Sequence, residues 1–195
     1  MSGPRFSSAV LVTIALISYP ATAHAADPSA PRQLPVTVCD FAGVDPRVLA
    51  AAEAVAGEVY RGAGVSIEWA ESGCIAGPPG LYVNLVAVEK ENVHLAELLV
   101  GFAESGGLTA TVFYNRIDLL ARRHRKKPAI VLGYVMAHEL GHLLLPPHSH
   151  SATGIMQATL NLEVSTRALR VSFTPEQAEL IAGRIAGTPA VVATH

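Results

Sequence analysis

The sequence predicts an α+β domain: a mixed, twisted sheet with a helix on one face, then a buried helix and a C-terminal helix. Three observations predict it. Short β-branched runs flank an alanine-rich stretch with helical spacing, giving a β-α-β-β beginning. A long apolar run opens at Pro128 and stops at Pro146-Pro147. Thr174-Pro175-Glu176-Gln177 then has the order of a helix start, with Thr174 as N-cap, Pro175 at the first helical position and Gln177 closing a capping box. Half of the 195 residues are hydrophobic and 15% are charged, enough apolar material for a real core. The formal charge of −2 gives no attraction to nucleic acid or anionic lipid.

The first 25 residues read as a signal peptide. Arg5 supplies the positive start, Ala9–Ile17 is an apolar run too short to span a bilayer, and Ala23-His24-Ala25 has the small-x-small form of a cleavage site. The domain is then 26–195, exported to the periplasm or the extracellular space, and no later stretch reads as a membrane helix. Export makes Cys39 and Cys74 the expected disulfide, with two buried free thiols as the alternative. The bond would close a loop of about 35 residues and stabilise by roughly 3–4 kcal/mol in the chain-entropy description.

Leu34–Phe41 is β-branched and alternating, so a strand is expected. Asp45-Pro46 is an N-cap and first-turn proline, and the helix behind it should stop near Gly62 or Gly64. Val65–Glu71 and Leu81–Val88 read as strands, with Cys74 in the Gly/Pro-rich loop between them. From Glu89 to Gly107 no periodicity is clear. Leu108–Arg116 reads as a strand, a helical turn follows at Ile117, and Arg122–Lys127 reads as a solvated basic loop. The final helix should run to about Ala186.

The apolar helix carries the chemistry. His138 and His142 are four residues apart, a rotation of about 400°, so both imidazoles leave one face within reach of one cation. Glu139 is displaced by about 100°, close enough to act on a water but turned away from ligation. This is the H-E-x-x-H pattern of a zinc hydrolase with Glu139 as general base. Burying that carboxylate in an apolar helix without a partner would cost several kcal/mol. A catalytic zinc site needs a third protein ligand.

The stretch His138–Met156 resembles the metzincins, zinc endopeptidases with H-E-x-x-H-x-x-G-x-x-H followed by a methionine turn. "HELGH" and the later "GIM" are similar to the motif of matrix metalloproteases. The resemblance implies a zincin-type fold, one catalytic Zn2+, a peptide or protein substrate, and Met156 as a hydrophobic floor beneath the metal. By the family's count the third ligand is His148. Here, however, Leu145 replaces the motif's glycine, and prolines follow it. A residue before proline is pushed toward extended conformations, and a wider turn would bring His150 to the metal, so His150 and His148 are both candidates for the third ligand. "HELGHLLL" with a later "HSxxGIM" also resembles exported bacterial proteins whose last histidine aligns with His150. Glu163, 21 residues after His142, is a further alternative on the thermolysin pattern.

The strand at Leu108–Arg116 is a candidate substrate-binding edge. A thiol cap on the zinc from Cys39, as in latent relatives of the family, would need a propeptide. Only about a dozen residues separate position 25 from Cys39, so the disulfide is expected instead. His94 and His124 fall in expected surface loops. A monomeric endopeptidase is the resulting expectation, and its rivals are a non-catalytic zinc-binding protein and a histidine-rich metal carrier.

Overall fold

The computed structural model describes residues 32–70, 74, 80–87, 99–159 and 171–187. The expected signal segment, His94 and the alternative ligand Glu163 lie outside the described residues.

Strand β1 (Arg32–Asp40) ends on a carboxylate that turns the chain: Asp40 accepts from the backbone N–H of Ala42 at 3.0 Å and of Val44 at 2.8 Å. Helix α1 (Pro46–Arg61) starts as its sequence requires. Asp45 Oδ1 accepts from Arg47 N at 2.8 Å and Val48 N at 3.4 Å, and proline occupies the first turn, where no amide partner is needed. Its buried face is Ala52, Ala56, Val59 and Tyr60, one stripe at helical spacing. Gly64, at φ +73°, turns the chain into β2 (Val65–Ala70). In β3 (Leu81–Val86) the buried Leu81, Val83 and Leu85 alternate with half-buried neighbours, the pattern of a strand with one face on the core.

Two short strands follow, β4 (Gly101–Ala103) and β5 (Thr109–Phe113). The five-stranded sheet has the order β2-β1-β3-β5-β4. β1 pairs in parallel with β2 and β3, β3 in parallel with β5, and only β4 runs antiparallel, against β5. The strand expected as the substrate edge, Leu108–Arg116, is therefore corrected. Its core is β5, interior to the sheet, and β4 is the edge. β4 was missed because three residues beginning with glycine carry no alternation; pairing with β5 defines them.

The strand also stops earlier than expected, since helix α2 (Tyr114–Arg123) begins at Tyr114 and buries Ile117 and Ala121. Arg122 and Arg123 thus belong to a helix rather than to the basic loop, and Arg122 pairs with Asp118 at 2.6 Å one turn back. Helix α3 (Pro128–Leu144) is the expected apolar helix, and α4 (Pro175–Gly187) closes the described chain.

The core lies between sheet and helices, with α3 packed against α1 on one side and against β3, β4 and β5 on the other. Gly133 permits the α1 crossing: a Cβ there would stand 2.6 Å from Val55 Cβ. Tyr60, fully buried, donates its hydroxyl to the Ala137 carbonyl at 3.3 Å and meets Phe173 edge-on at 5.0 Å. The Cys39–Cys74 disulfide is formed and ties β1 to the segment beyond β2. Among the described residues the result is a mixed α/β architecture of five strands and four helices, and none of these helices is long and apolar enough to cross a membrane.

Candidate metal centre

Helix α3 presents His138 and His142 on one face, as their spacing requires, with the two Nε2 atoms 3.0 Å apart. The helix ends at Leu145, which adopts φ −98° and ψ 159°. The Leu-Pro step favours this extended conformation over the left-handed turn at the position. The chain instead turns at Pro147-His148 and takes its left-handed residue three positions later than Leu145, at His148, with φ +60°. That displacement delivers His150. The candidate ligand nitrogens of His138, His142 and His150 all lie within 4.8 Å of one another, and His148 is an exposed residue outside this group.

The loop that carries His150 is tied down at several points. Ser151 N donates to the Met156 carbonyl at 2.9 Å, and Ile155 N to the Ser172 carbonyl at 2.8 Å. Thr174 and Gln177 form the reciprocal capping box of α4: Gln177 N donates to Thr174 Oγ1 at 3.3 Å, and Thr174 N donates to Gln177 Oε1 at 3.1 Å. The remaining arm of Gln177, Nε2, donates to the Ser149 carbonyl at 2.9 Å, next to His150. The C-terminal end of α3 is held as well, because Ser105 Oγ donates to the Leu145 carbonyl at 2.6 Å.

The histidines are oriented as well as gathered. His138 Nδ1 lies 2.8 Å from the Ile155 carbonyl, which can only accept. Nδ1 therefore carries the proton, and the Nε2 lone pair faces the other two rings. Burial lowers the His138 pKa, and repulsion from His150 adds to this against the opposing hydrogen bond to Ile155. Burial, followed by repulsion from His138 and His150, lowers His142 to about 4. Burial thus favours the neutral, nitrogen-donating form of His138 and His142. Around a tetrahedral ion with metal–nitrogen bonds of 2.0–2.1 Å, ligand nitrogens stand roughly 3.3 Å apart, close to the separation seen between His138 and His142. The three imidazoles, with nitrogens all within 4.8 Å of one another, could hold a metal ion, the rings drawing in by a fraction of an ångström around it.

Glu139 points into the same cleft from the next position on α3. It is 5% exposed, its Oε2 is buried with no hydrogen-bond partner, and burial pushes its pKa up to about 8. Gly101 of β4 makes room for it, since a Cβ there would lie 2.8 Å from Glu139 Oε1. The cleft has a volume of about 590 Å³ and runs between β4 on one side and Leu119 and Leu120 of α2 on the other, with the histidines at its base. Met156 is fully buried and packs against Gly141, where an added Cβ would stand 2.6 Å from its sulfur. The glycine of "HELGH" is thus where the methionine meets the helix.

No protein-family model matches the chain, and no relative with a curated description matches it. Among solved structures, myroilysin is similar over 56% of this chain and 46% of its own, at 13% identity and a TM-score of 0.32. The chain thus matches less than half the length of that protein. The histidine geometry, not this likeness, carries the functional reading.

Sequence reasoning did not find the Ile155 carbonyl, the second arm of Gln177 or Gly101. The first is a backbone atom without a sequence signal. Gln177 was legible only as a cap, and Gly101 sits in the stretch without periodicity.

Proposed function

We propose that this protein is an exported zinc endopeptidase of the metzincin type. His138, His142 and His150 are its ligands and Glu139 its general base. The carrying observation is the convergence of three imidazoles beside a buried carboxylate with an unpartnered oxygen. Three histidine nitrogens suit zinc and leave one coordination position open. Zinc, when bound, supplies a Lewis acid that polarises a carbonyl and makes water a nucleophile near neutral pH. The remaining work falls to the chain. The outer edge of β4 offers backbone groups to an extended peptide, laying the scissile carbonyl over the histidines. Glu139 Oε2 takes a proton from the attacking water and hands it to the leaving amine. Met156 supports the helix from below at Gly141 and does not ligate. The signal-like start and the disulfide are in keeping with an oxidising compartment.

The test is Glu139→Gln. Zinc should stay bound while peptide hydrolysis falls by roughly a hundredfold or more, the range of a lost general base. Wild-type protein that binds zinc but hydrolyses nothing in a broad peptide library would establish a non-catalytic zinc protein instead. Zinc retained at full affinity in His150→Ala would point back to Glu163 as the third ligand.

A further inference from the structure

Outside the histidines and Glu139, the cleft is lined in two ways. Leu99, Phe102 and Leu119 line it while remaining 42%, 54% and 60% exposed, so large apolar side chains stand in water on both lips. Single exposed apolar residues are ordinary, but several around one cleft mark a binding surface. The other lining carries two guanidinium groups, Arg116 and Arg123, and among the described residues no carboxylate besides Glu139. Arg116 is already engaged. It donates to the Leu99 carbonyl at 2.6 Å and stands 5.0 Å over the Phe113 ring, holding the lip beside β4. Arg123 is exposed and, among the described residues, pairs with no carboxylate. It opens onto a strongly basic run, since residues 122–127 hold five of the 14 lysines and arginines of a chain whose net charge is −2. The positive field is therefore local to one end of the cleft.

We propose that the cleft selects peptides carrying an apolar residue near an acidic one, with Arg123 binding the acid while Leu119 and Phe102 cover the apolar side chain. The inference rests on the peptidase reading above and names its substrate class. A nucleic acid or sulfated polysaccharide would use the cations but leave the apolar lips without a role, so the peptide is the occupant the lining favours.

The experiment uses the zinc-loaded full chain and three sets of peptides that share a leucine and differ at the residues flanking it: Glu, Gln or Lys. Relative kcat/KM is read for each. Binding of the same peptides to zinc-loaded Glu139→Gln protein is followed by fluorescence anisotropy. The Glu peptides should exceed the Gln peptides by roughly threefold to fivefold, what a partly exposed ion pair contributes, with the advantage shrinking in high salt. Arg123→Gln should flatten this preference, and Arg123→Glu should turn it toward the Lys peptides. Cleavage with no charge preference, or a preference that survives Arg123→Glu, overturns the specificity and leaves the peptidase reading standing. Heparin or a polynucleotide binding more tightly than the leucine–glutamate peptides also overturns it, in favour of a polyanion site. If wild type cleaves none of the peptides while the Glu139→Gln protein binds them with the expected preference, the peptidase reading alone has failed.

Discussion

Gln177→Glu separates the two tasks of one side chain. A glutamate at this position keeps a carboxylate oxygen for Thr174 N and so keeps the capping box, in which Glu is an ordinary partner. It also places negative charge at a helix N-terminus, where such charge is favourable. What it loses is the donor to the Ser149 carbonyl, the 2.9 Å bond beside His150. Losing a hydrogen bond and leaving a part-buried carbonyl facing a carboxylate should cost about 1–2 kcal/mol. That cost falls on the loop that carries the third histidine. Metal affinity should therefore drop about tenfold, at the lower end of what losing a supporting group around a metal site costs. The assay is zinc affinity by competition with a chromogenic chelator at pH 8, where the carboxylate is ionised, alongside the cobalt absorption spectrum. The ratio of wild-type to variant affinity should shrink on acidification, because a protonated carboxyl can again donate to Ser149. Affinity within twofold of wild type at pH 8, with an unchanged cobalt spectrum, would refute the idea that this bond holds His150.

Two further outcomes follow from the packing and the charge of the site. Gly141→Ala pushes a methyl toward Met156 Sδ and Phe173 Cε1, at 2.6 Å and 3.1 Å, and both residues are buried. Urea denaturation should show a loss of about 1–3 kcal/mol despite the gain in helix propensity, and adding Met156→Ala should recover part of it. In the metal-free protein, burial raises Glu139 from 4.5 to about 8 and lowers His142 from 6.5 to about 4. The raised carboxyl makes the folded chain hold more protons than the unfolded one between 4.5 and 8, so its contribution is lost as pH rises through that window. The lowered imidazole acts in the opposite sense and only below 6.5. Between pH 6.5 and 8 the urea midpoint should therefore fall, and Glu139→Gln should abolish that fall; a decline that persists in the variant counts against the assignment.

The legible parts of the fold were those whose signals are local. Asp45-Pro46 and the Thr174–Gln177 box announce helices because their side chains satisfy amides within three residues. β1, β2 and β3 announce themselves through branched residues and alternation. β4 could not, because Gly101-Phe102-Ala103 is a strand only by virtue of β5, and that error moved the expected edge one strand inward. At the site, the helical spacing of His138 and His142 was readable, and Leu145-Pro146 was readable as a departure from the family's turn that left His148 and His150 both open. The contacts that hold the arrangement were not readable, because a carbonyl such as that of Ile155 or Ser149 looks the same at every residue.

The strand order also has a kinetic side. Every pair except one is parallel and must wait for a crossover to bring its strands together. β4 and β5 are joined by a short connection, residues 104–108, and pair antiparallel. A hairpin of this kind closes in about 1–10 μs, while parallel pairings of distant segments are intrinsically slow. The wall of the cleft can therefore pair from its own stretch of chain, without waiting for a crossover.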